Sequence, residues 1–88
     1  MTEVLSTESL VEIEQRCARA TPGPWKSYTE GRDHSSGDSF IMTGGVDIYL
    51  AGASVEDQDF IASSRQDVPR LIAEIRRLQE LIRSAGVG

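Results

Sequence analysis

DQDFIASSRQDVPRLIAEIRRLQELI, residues 57–82, is where the fold is decided. Val68, Leu71, Ile75, Leu78, Ile82 and, just beyond, Ala85 recur at spacings of 3-4-3-4-3. That is a heptad seam along one side of a helix. Ile72 and Leu81 widen it. Arg70 with Glu74 and Arg76 with Glu80 stand four apart on the outer faces, each pair adding a few tenths of a kcal/mol. Upstream, Ser54 can cap a helix, with Asp57 as a variant capping-box partner and Phe60 and Ile61 as its buried side. Asp67 is a capping residue type, and Pro69 suits a first helical turn. The pattern therefore predicts two helices, 55–66 and 68–85, with a bend near 65–68. The seam is under three heptads, too short for a free coiled coil. It must pack on the sheet, on other helices or on a second copy, and its width points to more than one of these.

Working outward, Leu10, Ile13, Cys17 and Ala20 form the apolar face of a helix over 7–20, capped by Ser6 or Thr7 with Glu8 in the first turn. Thr21-Pro22-Gly23-Pro24-Trp25 ends it, because proline cannot continue a helix. Residues 25–29, 39–43 and 46–51 read as strands. Gly44-Gly45 reads as a two-residue hairpin turn, and Val46, Ile48 and Leu50 alternate with Asp47 and Tyr49. Residues 30–38, EGRDHSSGD, read as an exposed loop with a solvated His34. The expected fold is one α+β domain over 1–88. It has an N-terminal helix, a small antiparallel sheet of about three strands and two C-terminal helices, and it is oligomeric.

An 88-residue chain buries only about 60% of its unfolded surface and is marginal alone. Cys17 is the single cysteine and His34 the single histidine, so neither an internal disulfide nor a zinc site is available. A partner subunit is the remaining source of burial, hence a homodimer or higher homo-oligomer. The lone cysteine suits a reducing compartment. MTEVLSTESL lacks a basic segment followed by an apolar core, so no signal peptide is expected. No apolar run approaches the roughly 20 residues that span a bilayer. The expectation is a soluble cytoplasmic protein with no membrane contact. Net charge is −5, split as −7 over residues 1–60 and +2 over residues 61–88. An acidic whole argues against DNA binding, while the basic end remains compatible with a small anion.

No phosphate-loop, dinucleotide, metal-binding or nucleophile-elbow motif is present, and no cofactor is implied. Glu12/Glu14 and Asp57/Asp59 are two apart on helices and point in different directions. Ser63 or Ser64 as a nucleophile would need a base, and the only histidine is in a polar loop. The chain is expected not to be an enzyme, with no catalytic residues. A binding cluster remains: Arg65, whose planar fork suits phosphate, with Ser63, Ser64 and the expected helix start at Val68. Asp67 as cap would oppose an anion there. The alternative is an ordinary salt bridge from Arg65 to Asp67 or Glu56, which residue types alone favour. Trp25 is a core anchor or a base-stacking surface. Tyr49 is a ligand contact or a sheet-surface residue.

The block ATPGPW, residues 20–25, followed by a short sheet and then DQDFIASSRQDVPRLIAEIRRL, residues 57–78, resembles small accessory proteins of tailed phages and prophages, the Ead-like type. The FIA-x-x-R-x-D-x-P-x-L portion is its most specific part; residues 26–56 match no pattern of that group. The resemblance extends to the anti-defence sponge proteins directed against Thoeris-type immunity. Those are small, oligomeric and non-enzymatic. They bind cyclic ADP-ribose-type signals or cyclic oligonucleotides. The resemblance implies a protein that sequesters such a signal in the cytoplasm of an infected bacterial host, or alternatively an accessory protein that binds a host protein. It implies Arg65 as a phosphate contact and Tyr49 or Trp25 as a stacking aromatic. The short sheet departs from the larger sponge proteins, which leaves open whether a pocket lies within one chain or between two.

Overall fold

Ser6 opens the first helix. In the computed structural model, which describes residues 5–34 and 38–86, its hydroxyl accepts from the Ser9 N–H at 3.0 Å. That satisfies one of the donors a helix start leaves without an internal partner. Helix α1 is Thr7–Arg19, with Glu8 in its first turn and Arg16 and Arg19 in its last, each sign favourable to the helix dipole. Leu10 is fully buried, and Ile13 and Cys17 are half-buried. The expected apolar face is the inward one.

Strands β1, Lys26–Tyr28, and β2, Phe40–Met42, pair antiparallel with Ser27 opposite Ile41 and Tyr28 opposite Phe40. The Tyr28 and Phe40 rings stack with centroids 5.3 Å apart. Ile41, fully buried, exchanges both backbone hydrogen bonds with Ile48, at 2.8 and 2.9 Å. The expected third strand, 46–51, shrinks to that one bridge. Two causes are visible. Gly44 and Gly45 do not take positive φ, which the tight hairpin turns require. Instead the Thr43 hydroxyl accepts from Gly45 N–H and donates to the Val46 carbonyl, each at 2.9 Å. Further, Val46 and Tyr49, which would lie on opposite faces of a third strand, are both exposed. Thr29, at the end of the expected first strand, is buried, and in the expected loop His34 is half-buried against Phe40, ring centroids 5.9 Å apart. Residues 35–37 of that loop, like the expected leaderless start at 1–4, lie outside the described residues.

The two expected C-terminal helices are one. Helix α2 is Val55–Ser84, 30 residues, about 45 Å long. Ser54 and Asp57 form the expected capping box, with Asp57 N–H to Ser54 Oγ at 3.0 Å. Pro69 lies inside the helix. Its ring angle is already helical; what it removes is the N–H that would meet the Arg65 carbonyl. Contacts on both sides of Pro69 keep the helix in line. Upstream, the sheet grips Gln58; downstream, Ile72 is buried and Arg76 reaches Glu14 of α1, Nε to Oε2 at 3.0 Å and Nη2 to Oε1. The Arg76 guanidinium holds the Glu14 carboxyl below its ordinary range. Asp67 does not cap; it stands 3.8 Å from Arg70. Of the pairs expected along the helix, Glu74 instead meets Arg77 and Glu80 meets Arg83, three residues on.

Gln58 is the internal tie between helix and sheet. It is 2% exposed, and its amide nitrogen reaches Ser27 Oγ at 2.8 Å, the Phe40 carbonyl at 3.1 Å and the Tyr28 carbonyl at 3.2 Å. At the sheet's edge Arg32 adds a two-point bridge to Asp59, at 2.8 and 3.1 Å. Among the described residues only Leu10, Ile41, Ala62 and Ile72 are buried apolar side chains. The radius of gyration, 17.1 Å, exceeds the roughly 12 Å of a compact domain this long. Among the described residues no helix is long and apolar enough to cross a membrane.

Two substitutions test this architecture. Gln58→Leu leaves buried carbonyls without a donor and is expected to lower stability by about 1–3 kcal/mol in urea unfolding. Pro69→Ala restores a backbone donor within a continuous helix, so it is expected to raise stability by about 1–3 kcal/mol. A loss of stability would instead mark the bend that the sequence suggests.

Candidate functional site

The linker from α1 to β1 is held from beneath by two consecutive side chains of α2. Arg65 Nε donates to the Thr21 carbonyl at 2.9 Å, and Trp25 Nε1 donates to the same oxygen at 3.0 Å. Gln66 grips the Trp25 backbone at both ends, accepting from its N–H at 2.6 Å and donating to its carbonyl at 3.2 Å. From the other side, the Gly44 N–H donates to the Pro22 carbonyl at 2.9 Å. The Gly23–Pro24 peptide bond is cis. Gly23 packs tightly here: a Cβ on it would sit 3.3 Å from Gln66 Oε1 and 3.4 Å from Arg65 Cγ.

These contacts shape a groove between α1 and α2 of about 310 Å³, lined by Ile13, Arg16, Cys17, Trp25, Ser64 and Arg65 among others. A second groove of about 470 Å³ shares Cys17 and Arg65 and adds Glu14, Pro69 and Ile72. Arg65 is half-buried. Its Nε is taken by Thr21, and among the described residues no carboxylate pairs with its guanidinium. The expected salt bridge to Asp67 or Glu56 does not form; Asp67 faces Arg70. Glu14 lines the second groove but is engaged by Arg76. The first groove thus brings Arg16 and Arg65 together with Trp25 and apolar side chains such as Ile13 and Val68.

Trp25, Ser64 and Arg65 come together, and two other expected site residues do not join them. Ser63 is exposed and lines neither groove. Tyr49 lies against Phe40, ring centroids 5.7 Å apart, and lines a separate depression with Asp38 and Ser39. The Ser64 hydroxyl donates back to the Phe60 carbonyl at 2.7 Å, which leaves its oxygen able to accept but commits its proton. The anion corner expected at a helix start near Val68 is absent, because that segment is the interior of α2 and its N–H groups belong to the helix ladder.

Sequence reasoning passed over Gln66, Thr21 and Arg16. Gln66 carries a readable signal: Gln58, Ala62 and Gln66 recur four apart, an inward stripe with an amide at either end. Thr21 acts through its carbonyl, which no residue type advertises. Among the described residues no group of three or more His, Cys, Asp or Glu side chains could hold a metal. No protein-family model, curated protein or solved structure matches the chain, so the functional argument rests on the groove itself.

The linker's seating is testable at Gly44. A Cβ there would lie 2.6 Å from the Pro22 carbonyl oxygen, closer than real contacts allow. Gly44→Ala is expected to destabilise the protein by about 1–3 kcal/mol and to shift Trp25 emission, read in one fluorescence-monitored denaturation. Wild-type stability in that variant would show that the linker does not sit against the 43–46 turn.

Proposed function

We propose that the chain is a phage anti-defence protein of the Ead-like kind. It binds and sequesters a cyclic nucleotide or cyclic ADP-ribose-type immune signal without cleaving it, in the cytoplasm of an infected bacterial host. One observation carries the reading. Arg65 is fixed through Nε to the Thr21 carbonyl, shares a groove with Trp25 and Arg16, and meets no carboxylate among the described residues. A guanidinium held by one nitrogen keeps its other donors in a set plane, which favours phosphate over a mobile surface contact. An indole beside it offers a face for a base. The groove's volume, about 310 Å³, is at the lower end for small-molecule sites. Tyr49 and Ser63 leave the proposed contact set, which becomes Trp25, Ser64 and Arg65 with Arg16 added. The protein acts as a homodimer or higher homo-oligomer in this reading, since so few apolar side chains are buried within one chain.

A second reading draws on a different surface. Phe60, expected with Ile61 on the buried side of the helix, is instead 74% exposed beside Leu50 and Ala51, and Ile61, Val46 and Tyr49 are also exposed. An apolar surface of that kind suits a non-enzymatic accessory protein that binds a host protein.

The two readings separate in a thermal-shift screen against cyclic ADP-ribose isomers and cyclic di- and trinucleotides. A ligand at 100 times its Kd is expected to raise Tm by about 10 °C or more. Arg65→Ala is expected to weaken binding at least about tenfold, while Ser63→Ala, off the groove, leaves it unchanged. Ligand released by heating should keep its mass. A changed mass would sink sequestration, and no shift with any member of the panel would move the assignment to a protein partner.

A further inference from the structure

Helix α2 carries two apolar faces, and one of them is largely exposed within the chain. Placed at about 100° per residue, the buried Gln58, Ala62 and Ile72 fall within a sector of about 80°. Leu71, Ile75, Leu78 and Ile82 fall within another sector of about 60°, its centre roughly 130° away. That second stripe is only partly covered: Leu71 is 62% exposed, Leu78 45% and Ile82 62%, while Val68 and Ile75 are half-buried. The composition of the stripe indicates its occupant. In heptad terms its a positions are Val68, Ile75 and Ile82, all β-branched, and its d positions are Leu71, Leu78 and Ala85, none of them β-branched. β-branched residues at a with leucine at d favour a parallel pair of helices. In a parallel pair every layer sets like against like. In an antiparallel pair every layer mixes an a with a d, and the segregation has no packing consequence. The arginines at 70, 76, 77 and 83 occupy positions away from the seam, so a pair does not bring them across it.

We infer that α2 pairs in parallel with α2 of a second copy through the seam at 68, 71, 75, 78, 82 and 85. A free peptide of this length would not hold a coiled coil, but here the helix is already ordered by α1 and the sheet, which removes most of the ordering cost. The inference rests on the self-association in the function proposed above, and not on the ligand. Arg65 projects at about 60° from the seam's edge at Val68, on the α1 side. Val68 belongs to both the seam and the groove lining, so pairing covers one edge of the groove and leaves Arg65 on its α1 side.

Sedimentation equilibrium of the full chain without ligand is expected to show a dimer at micromolar concentration. Leu78→Lys, at a position already half exposed, should keep its helical circular dichroism yet weaken association at least about 100-fold. Its thermal shift with a bound cyclic nucleotide should match wild type. Orientation is read from Ala85→Cys in a Cys17→Ala background, which should oxidise to a covalent dimer because residue 85 meets its own copy. A well-folded monomer at 100 times that concentration overturns the pairing, and so does an oligomer larger than two. A dimer that Ala85→Cys fails to cross-link overturns the parallel arrangement. The sedimentation and cross-linking results stand whether or not any nucleotide binds.

Discussion

Two glutamine amides on one face of α2 hold the rest of the chain to it. A sheet of two three-residue strands has little of its own to sustain it, and short strands leave many backbone groups without ladder partners. Gln58 supplies donors to carbonyls of both strands, and Gln66 supplies a donor and an acceptor to Trp25 where the chain enters β1. An amide is the side chain able to do both, since it carries N–H and C=O in one plane. The two are eight residues apart, close to two helical turns, so both point inward from a straight helix. This is a physical reason for the continuity of α2. A bend between them would turn one amide away from the backbone it serves, and past Pro69 the buried Ile72 and the Arg76–Glu14 contact keep the helix in line.

What was legible in the sequence was local. The Ser54–Asp57 capping box and the Ser6 cap are chemistry within four residues, and both are where residue types place them. Pro69 misleads for the same reason. A proline in a first turn and a proline within a helix look alike over a short window, and what separates them is α1 and the sheet gripping both halves. Alternation over 46–51 says which side chains would share a face; it does not say that a layer exists to cover them. Gly44 and Gly45 suit a tight turn, yet Gly44 serves a close approach to Pro22. Arg65 stood out by its type and neighbours, but its partner is a carbonyl 44 residues away, and Arg16 joins it only through the packing of α1 on α2.

The faces of α2 divide the work. The inward face builds the core, the side toward α1 and the linker forms the groove, and the outer stripe remains available for assembly. In the proposed reading, changes at Leu71, Leu78 or Ile82 would affect assembly while leaving the groove's own lining in place. Glu14, which lines the neighbouring groove, is turned to Arg76, and Asp67, two residues from Arg65, is turned to Arg70.

The scarcity of buried apolar side chains has a further consequence, for abundance in the cell. With Leu10, Ile41, Ala62 and Ile72 as the interior of the described residues, folding free energy from one chain is small, and the proposed pairing of α2 would add a contribution that depends on mass action. Each tenfold rise in protein concentration then shifts the balance further toward the folded pair. A chain of this design is at its most vulnerable to proteolysis when few copies have been made, and it becomes persistent as expression climbs.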